Sequence, residues 1–189
     1  YLSRNADDLI PEGFAGYVFL EKPTALPPDN SFLLDPDMSY LGNGDVVKIN
    51  PERKSFRALY RRSSNHNAFL LTERCNNYCL MCSQPPREID DSHIADEILR
   101  VIPFMSQETN AIGLTGGEPT LLGDKLVQIV KALKCRLPST AVHMLSNGRN
   151  FRNLSFAQSI ADIQHPDLMI GIPVYSDISS QHDYVVQAD

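Results

Sequence analysis

Three cysteines in one short run, Cys75, Cys79 and Cys82, constrain most strongly what this chain of 189 residues can form. They follow the apolar, strand-like stretch 69–72, so that one loop presents three thiols with the spacing Cys-x-x-x-Cys-x-x-Cys. Thiolates bind zinc and iron–sulfur clusters. A four-iron cluster held by four cysteines is coordinatively complete, whereas three cysteines leave one iron open to a ligand. The pattern therefore predicts a metal centre.

A zinc site is one alternative, and its fourth ligand would be His66, His93 or Cys135. Cys135 ends an amphipathic helical pattern, where a half-buried cysteine without ligand function is the simpler expectation. The chain has four cysteines in all, and three of them are clustered, unlike the cysteines of a disulfide-rich secreted domain. We therefore expect metal binding in a reducing compartment, and we predict a cytoplasmic location.

The composition is that of an ordinary globular protein with one or two domains, since 42% of the residues are hydrophobic and 21% are charged. The net charge of −6 argues against nucleic acid or a membrane surface as the partner. No apolar run approaches the ~20 residues of a membrane-spanning helix. The chain starts at Tyr1 rather than Met and has no secretory segment, so we interpret it as part of a longer protein.

Residues 1–66 and 67–189 differ in pattern, and we interpret them as two regions. The first region is rich in Pro, Asp and Asn, and its short apolar runs show no helical period. Two extended runs at 46–49 and 55–60 flank a turn that contains Pro51, which predicts a β-hairpin. We therefore expect a small β-rich N-terminal region, joined to the rest by a polar linker.

The second region alternates between strand and helix patterns. The strand patterns lie at 68–72, 111–115, 141–145 and 168–174, and the helical ones begin at Asp91 or Ser92, near Leu122 and at Leu154. Strands separated by helices imply parallel pairing with right-handed crossovers. The predicted fold class is therefore α/β, a partial (βα) barrel of about four units that is incomplete at the C-terminus. A fourth helix is expected to begin only where the sequence ends.

Each strand pattern is followed by a segment suited to a binding site. The segments are the cysteine run, Gly116-Gly117-Glu118, Ser146-Asn147-Gly148 and Tyr175-Ser176-Asp177. Because the sites of (βα) barrels gather at the C-terminal ends of the strands, we expect all four to converge. The glycine pair permits unusual backbone angles and a close approach of ligand to backbone, although a tight turn would also use it.

The cysteine run CNNYCLMC, a helix, and a strand ending in GGEP together resemble the signature of the radical S-adenosylmethionine (SAM) enzymes. The resemblance implies that Cys75, Cys79 and Cys82 hold a 4Fe–4S cluster whose remaining iron binds SAM. Met81 occupies a place where the family often has an aromatic residue near the adenine. A thioether can also pack on a purine face, so Met81 is expected to contact the cofactor.

The same resemblance implies further SAM contacts. Gly116, Gly117 and Glu118 are expected to hold the methionyl amino group, largely through the backbone. Glu118 could equally occupy the N-terminus of a helix. Ser146 and Asn147 are candidates for cofactor contact, or they cap a turn. Ser176 is the candidate for a serine near the SAM ribose, because Val174 stands at the place where many relatives carry that serine.

Longer strings narrow the resemblance. CNNYCLMCSQPPREIDD, LTGGEPTLLGD and HMLSNGR are similar to the C-type radical SAM maturase of His-Xaa-Ser peptide-modifying systems. This implies a precursor protein with His-Xaa-Ser motifs, a partner radical SAM maturase, and flavodoxin or ferredoxin as electron donor. The implied reaction is reductive cleavage of SAM to a 5′-deoxyadenosyl radical, which abstracts a hydrogen atom from the precursor.

Two alternatives to peptide modification remain open. One is a radical SAM enzyme that acts on another substrate, such as a glycyl-radical activase or a modified-nucleoside synthase. The other is a non-catalytic module that binds zinc or an iron–sulfur cluster. Product analysis with candidate substrates would separate the first alternative from peptide modification. The metal content and the response of the cluster to SAM would separate the second alternative from an enzyme.

Overall fold

The N-terminal region consists of short strands. A computed structural model describes residues 1–53 and 55–188. Strands β1 (Leu2–Ser3), β2 (Tyr17–Phe19) and β3 (Ser31–Leu33) form a parallel sheet. Strands β4 (Val46–Asn50) and β5 (Ser55–Tyr60) pair antiparallel, which confirms the predicted hairpin.

The second region is a parallel sheet with a helix after each strand. Its strands, in spatial order, are β6 (His66–Leu70), β7 (Ala111–Thr115), β8 (Ala141–Leu145) and β9 (Leu168–Gly171). Its helices are α1 (Ser92–Val101), α2 (Asp124–Arg136), α3 (Leu154–Ala161) and α4 (Ser179–Val186). Sequential neighbours pair in parallel throughout, so the predicted partial (βα) fold is confirmed.

Some element boundaries differ from the predictions. β6 begins at His66, inside the predicted N-terminal region, and ends at Leu70, because Thr72 already contacts the neighbouring loops. β9 ends at Gly171, shortly before Pro173, which has no N–H for a sheet hydrogen bond. The fourth helix was expected only at the end of the sequence. That expectation was wrong, because α4 already spans Ser179–Val186.

The core lies between the sheet and its helices. Strand residues Ile112, Leu114, Val142 and Met144 are fully buried, and so is the α2 stripe of Leu126, Ile129, Val130 and Leu133. That stripe follows the i, i+3, i+4, i+7 spacing of one helix face. Alternate strand residues point to the other face of the sheet. There, Leu145 and Met169 are more than half exposed.

The hairpin β4–β5 packs against the βα region. Tyr60 is buried in the main core, and its hydroxyl lies 2.8 Å from Thr109 Oγ1. Lys48 Nζ lies 2.6 Å from a carboxylate oxygen of Glu97 on α1. Val18, Leu34 and Leu41 form a separate small cluster within the N-terminal strands. The division of the chain into domains 1–66 and 67–189 stays a prediction. Of the helices that the structure describes, none is long and apolar enough to cross a membrane.

Candidate active site

The loops that follow the four parallel strands meet at the C-terminal edge of the sheet and border an open cavity of about 640 Å³. This volume lies in the range of small-molecule and cofactor sites. Seven of the predicted site residues line it: Cys79, Met81, Cys82, Gly116, Gly117, Ser146 and Asn147. Apolar walls come from Leu145, Ile172, Pro173 and Tyr175. The structure thus brings together residues that are far apart in sequence.

Cys75 lies just behind this cavity. A Cβ atom added to Gly117 would be 3.1 Å from the Cys75 Cβ, and Asn147 Nδ2 lies 4.0 Å from the Cys75 Sγ. Cys75 also borders a second cavity of about 460 Å³, which is lined by Arg74, Tyr78 and residues 86–90. In the described part of the chain, no three His, Cys, Asp or Glu side chains are grouped to hold one metal ion. The thiolates of a four-iron cluster each bind a different iron, and the shared ligation stays a prediction.

The thiols differ in their hydrogen bonds. The backbone N–H of Asn77 donates to Cys75 Sγ at 3.4 Å, whereas the thiol of Cys82 donates to the carbonyl of Gln84 at 3.0 Å. Burial raises the pKa of the Cys75 thiol, and the hydrogen bond from Asn77 opposes this shift. Cys75 is therefore the thiol that receives N–H groups from the protein.

The first turn of the cysteine loop is anchored to the start of α1 by Asp91, whose side chain is 1% exposed. Its Oδ2 accepts hydrogen bonds from Thr72 Oγ1 at 2.8 Å and from the Glu73 N–H at 2.6 Å. Its Oδ1 lies 3.3 Å from Arg74 Nε as an ion pair. Asp91 was predicted as a possible helix cap, but its side chain makes no capping hydrogen bond. It binds the loop instead.

Helix α4 holds the middle of the cysteine loop. The N–H groups of Tyr78 and Leu80 donate to the carbonyls of Val186 and Val185, both at 3.0 Å. Carbonyls at the end of a helix have no partner within the helix. The loop therefore provides hydrogen-bond donors for carbonyls in the last turn of α4, and the same two hydrogen bonds fix the shape of the loop.

The glycine motif packs backbone to backbone against the cysteine loop. The N–H groups of Gly117 and Glu118 donate to the carbonyls of Thr72 and Arg74, both at 2.8 Å. Gly116 has φ +136°, and a Cβ there would lie 2.4 Å from the Thr72 oxygen. A Cβ on Gly117 would lie 2.1 Å from the Arg74 oxygen. The neighbouring loop therefore requires both glycines, in addition to any ligand in the cavity.

Glu118 is fully buried, and both of its carboxylate oxygens bind the protein. Oε1 accepts hydrogen bonds from the Thr120 N–H at 2.9 Å, from Thr120 Oγ1 at 2.5 Å and from Ser146 Oγ at 2.8 Å. Oε2 accepts the Asn147 N–H at 2.6 Å. The side chain thus joins the loops after β7 and β8. The Glu118 N–H donates to the Arg74 carbonyl and the Glu118 carbonyl accepts the Leu121 N–H, so the predicted cofactor contact of Glu118 stays a prediction.

The loop after β8 holds the cysteine loop from the other side. Asn147 Nδ2 donates to Asn76 Oδ1 at 2.7 Å. Arg149 Nη1 donates to the Asn76 carbonyl at 2.8 Å and to Asn77 Oδ1 at 3.1 Å. Residue patterns did not single out Asn76, Asn77 and Arg149. The sequence indicates these three residues only by their place inside the strings CNNYC and SNGR, next to the predicted site residues.

This arrangement agrees with the comparison to protein families. The profile of the Radical SAM superfamily matches residues 69–178, which is more than half of the chain and covers the cysteine loop, the glycine motif and the loop after β8. The chain belongs to the radical SAM superfamily. Members of this superfamily use a 4Fe–4S cluster and SAM, so the predicted cofactors are those of the family.

Individual relatives match about half of the chain. A probable GTP 3′,8-cyclase of Saccharolobus islandicus is 34% identical over 95 residues, which cover 49% of this chain and 30% of that protein. The Saccharolobus solfataricus counterpart is 31% identical over 102 residues, covering 53% and 32%. Molybdenum cofactor biosynthesis protein 1 of Drosophila melanogaster is 32% identical over 119 residues, covering 57% and 21%. The chain thus matches about a third or less of each relative's length.

The residues present fit the radical SAM cofactors. Cys79 and Cys82 line the cavity, and Cys75 lies next to Gly117 in its wall. Soft thiolate donors suit an iron–sulfur cluster. Gly116 and Gly117 add wall segments without side chains, where a ligand can reach the backbone. Cluster and SAM would therefore meet between the cysteine loop and the glycine motif.

Ser176 does not line the cavity. Its hydroxyl donates to Gln181 Oε1 at 2.9 Å and accepts the Ile178 N–H at 3.1 Å, so it shapes the turn before α4. Its predicted contact with the SAM ribose stays a prediction. The preceding residue, Tyr175, lines the cavity instead, and its ring stacks on His182 with centroids 6.0 Å apart.

Proposed function

We propose that the chain carries the SAM-cleaving site of a radical SAM enzyme, with Cys75, Cys79 and Cys82 as cluster ligands. The convergence of the cysteine loop and the glycine motif on one cavity carries this proposal. When bound, the cluster and SAM supply one-electron reductive cleavage of the sulfonium and a 5′-deoxyadenosyl radical. No acid–base pair is needed for that cleavage.

The protein's own residues would hold and shield the cofactors. The backbone of Gly116 and Gly117 would hold the methionyl end of SAM, and Met81 would pack against the adenine. Leu145, Ile172 and Tyr175 form apolar walls of the same cavity. Leu145 is 61%, Ile172 48% and Tyr175 43% exposed, so these walls flank an open cleft. The described residues therefore contribute position, and a bound substrate would complete the exclusion of water and weak hydrogen donors from a reactive carbon.

The test is EPR spectroscopy of the anaerobically reconstituted and reduced chain, with and without SAM, together with an assay for 5′-deoxyadenosine. We expect a reduced-cluster signal that changes when SAM is added, and its loss in Cys79→Ser. Cys135→Ser is the matched control, because Cys135 is exposed at the end of α2, and it should keep the signal. One zinc per chain, or a cluster that does not respond to SAM, would favour the non-catalytic module.

For the substrate, we propose a precursor protein with His-Xaa-Ser motifs, processed together with a partner radical SAM maturase. Flavodoxin or ferredoxin is the proposed electron donor. The strings CNNYCLMCSQPPREIDD and HMLSNGR support this proposal.

A nucleotide substrate is the second candidate, and the relatives named as GTP 3′,8-cyclases favour it. Their similarity covers about a third of their length, so their substrate carries over to this chain only as a candidate. Deuterium transfer separates the two candidates. Deuterium from a labelled precursor should appear in 5′-deoxyadenosine, whereas transfer from labelled GTP alone would reject the peptide proposal.

A further inference from the structure

Asn147 lies between the buried carboxylate of Glu118 and the thiol of Cys75. Its backbone N–H is held by Glu118 Oε2 at 2.6 Å. Its side-chain oxygen accepts the Arg149 N–H at 3.0 Å, and its Nδ2 donates to Asn76 Oδ1 at 2.7 Å. Because the oxygen faces an N–H donor, the amide has one orientation and cannot be flipped without losing that bond.

This orientation leaves one N–H of the amide for Cys75. An amide nitrogen carries two hydrogens, and the Asn76 oxygen takes only one of them. Nδ2 lies 4.0 Å from Cys75 Sγ, at the long end of N–H···S contacts. The Asn77 N–H also donates to this sulfur, at 3.4 Å. Cys75 is therefore placed to receive two N–H donors, in contrast to Cys82, whose thiol faces a carbonyl.

We propose that Asn147 is a positioning residue that raises the reduction potential of the cluster by donating an N–H to the Cys75 sulfur. This inference rests on the proposed function, since it needs a cluster bound at Cys75. Hydrogen bonds to cluster sulfurs are among the factors that set the potential. Such a bond stabilises the reduced cluster because reduction adds negative charge. The sequence suggested a SAM contact or a turn cap for Asn147. The hydrogen bond from the Arg149 N–H confirms the turn cap, and the second N–H of the side-chain amide faces the Cys75 sulfur.

The test is a redox titration of the reconstituted full chain, followed by EPR. Asn147→Leu removes the amide at similar volume and without adding charge. We expect its midpoint potential to shift to more negative values, with iron content retained, and the SAM response is recorded in the unchanged protein. The matched control is Asn150→Leu in the same loop, since the Asn150 side chain forms no hydrogen bond in the described structure. Its potential should equal that of the unchanged protein.

An unchanged potential in Asn147→Leu, or an equal shift in Asn150→Leu, would overturn the inference. The proposed function would stand in that case, provided that the cluster of the unchanged protein responds to SAM. A SAM-indifferent cluster in the unchanged protein would overturn both. If Asn147→Leu loses the cluster, ¹⁵N labelling of asparagine side-chain amides decides the question. A ¹⁵N coupling to the reduced cluster is expected in pulsed EPR, and it should persist in Asn76→Asp, which keeps the acceptor and lacks the amide. The absence of this ¹⁵N coupling would overturn the inference.

Discussion

The glycine-motif loop and the cysteine loop lie against each other, yet they are stabilised in different ways. In the glycine-motif loop, Glu118, Pro119 and Thr120 are buried, and the Glu118 carboxylate accepts hydrogen bonds from neighbouring groups. In the second, Tyr78 and Leu80 are more than half exposed. The cysteine loop takes its shape from groups outside it, namely Asp91, Asn147, Arg149 and the end of α4. The loop that carries the proposed ligands is therefore shaped by other segments.

Gly117→Ala tests this contrast with the largest expected effect. The new Cβ would lie 2.1 Å from the backbone oxygen of Arg74, and a backbone atom cannot move aside cheaply. We expect a loss of about 3 kcal/mol or more in the free energy of unfolding, measured in urea. Gly42→Ala is the control, because a Cβ there meets nothing within 4 Å. Equal stability of the two variants would contradict the required approach of the loops.

Glu118→Gln tests the buried carboxylate. The amide nitrogen would replace one acceptor oxygen and face a donor, either the Asn147 N–H or the groups on Oε1. We expect a loss of about 2 kcal/mol in the free energy of unfolding. The exposed Glu52→Gln should change it by less than ~0.5 kcal/mol. If both variants unfold alike, the carboxylate does not join the two loops as described.

Asp91→Asn should loosen the cysteine loop more than it destabilises the whole protein. It keeps one acceptor oxygen but leaves Arg74 without its charge partner. We expect a loss of about 1 kcal/mol and faster tryptic cleavage at Arg74 and Arg87, followed by mass spectrometry. Exposed Asp29→Asn is the control and should show neither change. Unaltered cleavage in Asp91→Asn would mean that Asp91 does not anchor the loop.

Leu80→Ser gives the smallest expected effect. The Leu80 side chain is 60% exposed, so its replacement should change the free energy of unfolding by less than ~0.5 kcal/mol. Leu71, at the fully buried base of the same loop, provides the contrast. Leu71→Ser should be clearly destabilising in the same urea assay. A large effect of Leu80→Ser would show that side chains of the cysteine loop also stabilise the fold.

The fold was predictable because its signals are periodic. The α2 stripe ending in Leu133 and the strands 111–115 and 141–145 could be located from the spacing of apolar residues alone. The convergence of the motifs then followed from parallel topology, because the C-terminal ends of parallel strands share one edge.

The anchors of the site could not be predicted in this way. Aspartate suits a helix cap and a loop anchor equally well, and only the folded chain brings Asp91 to Thr72. Spacing also does not reveal that Cys75 lies behind the cavity while Cys79 and Cys82 line it. The substrate could not be predicted in this way either, because the matched segments cover about a third or less of each relative's length.

The hydrogen bonds between the cysteine loop and the last turn of α4 affect the timing of biosynthesis. The N–H groups of Tyr78 and Leu80 find their acceptors only when Val185 and Val186 have been synthesised and folded. During translation, the three cysteines leave the ribosome long before their loop can reach its final shape. Folding of the cysteine loop is therefore completed only after the fourth βα unit has been synthesised.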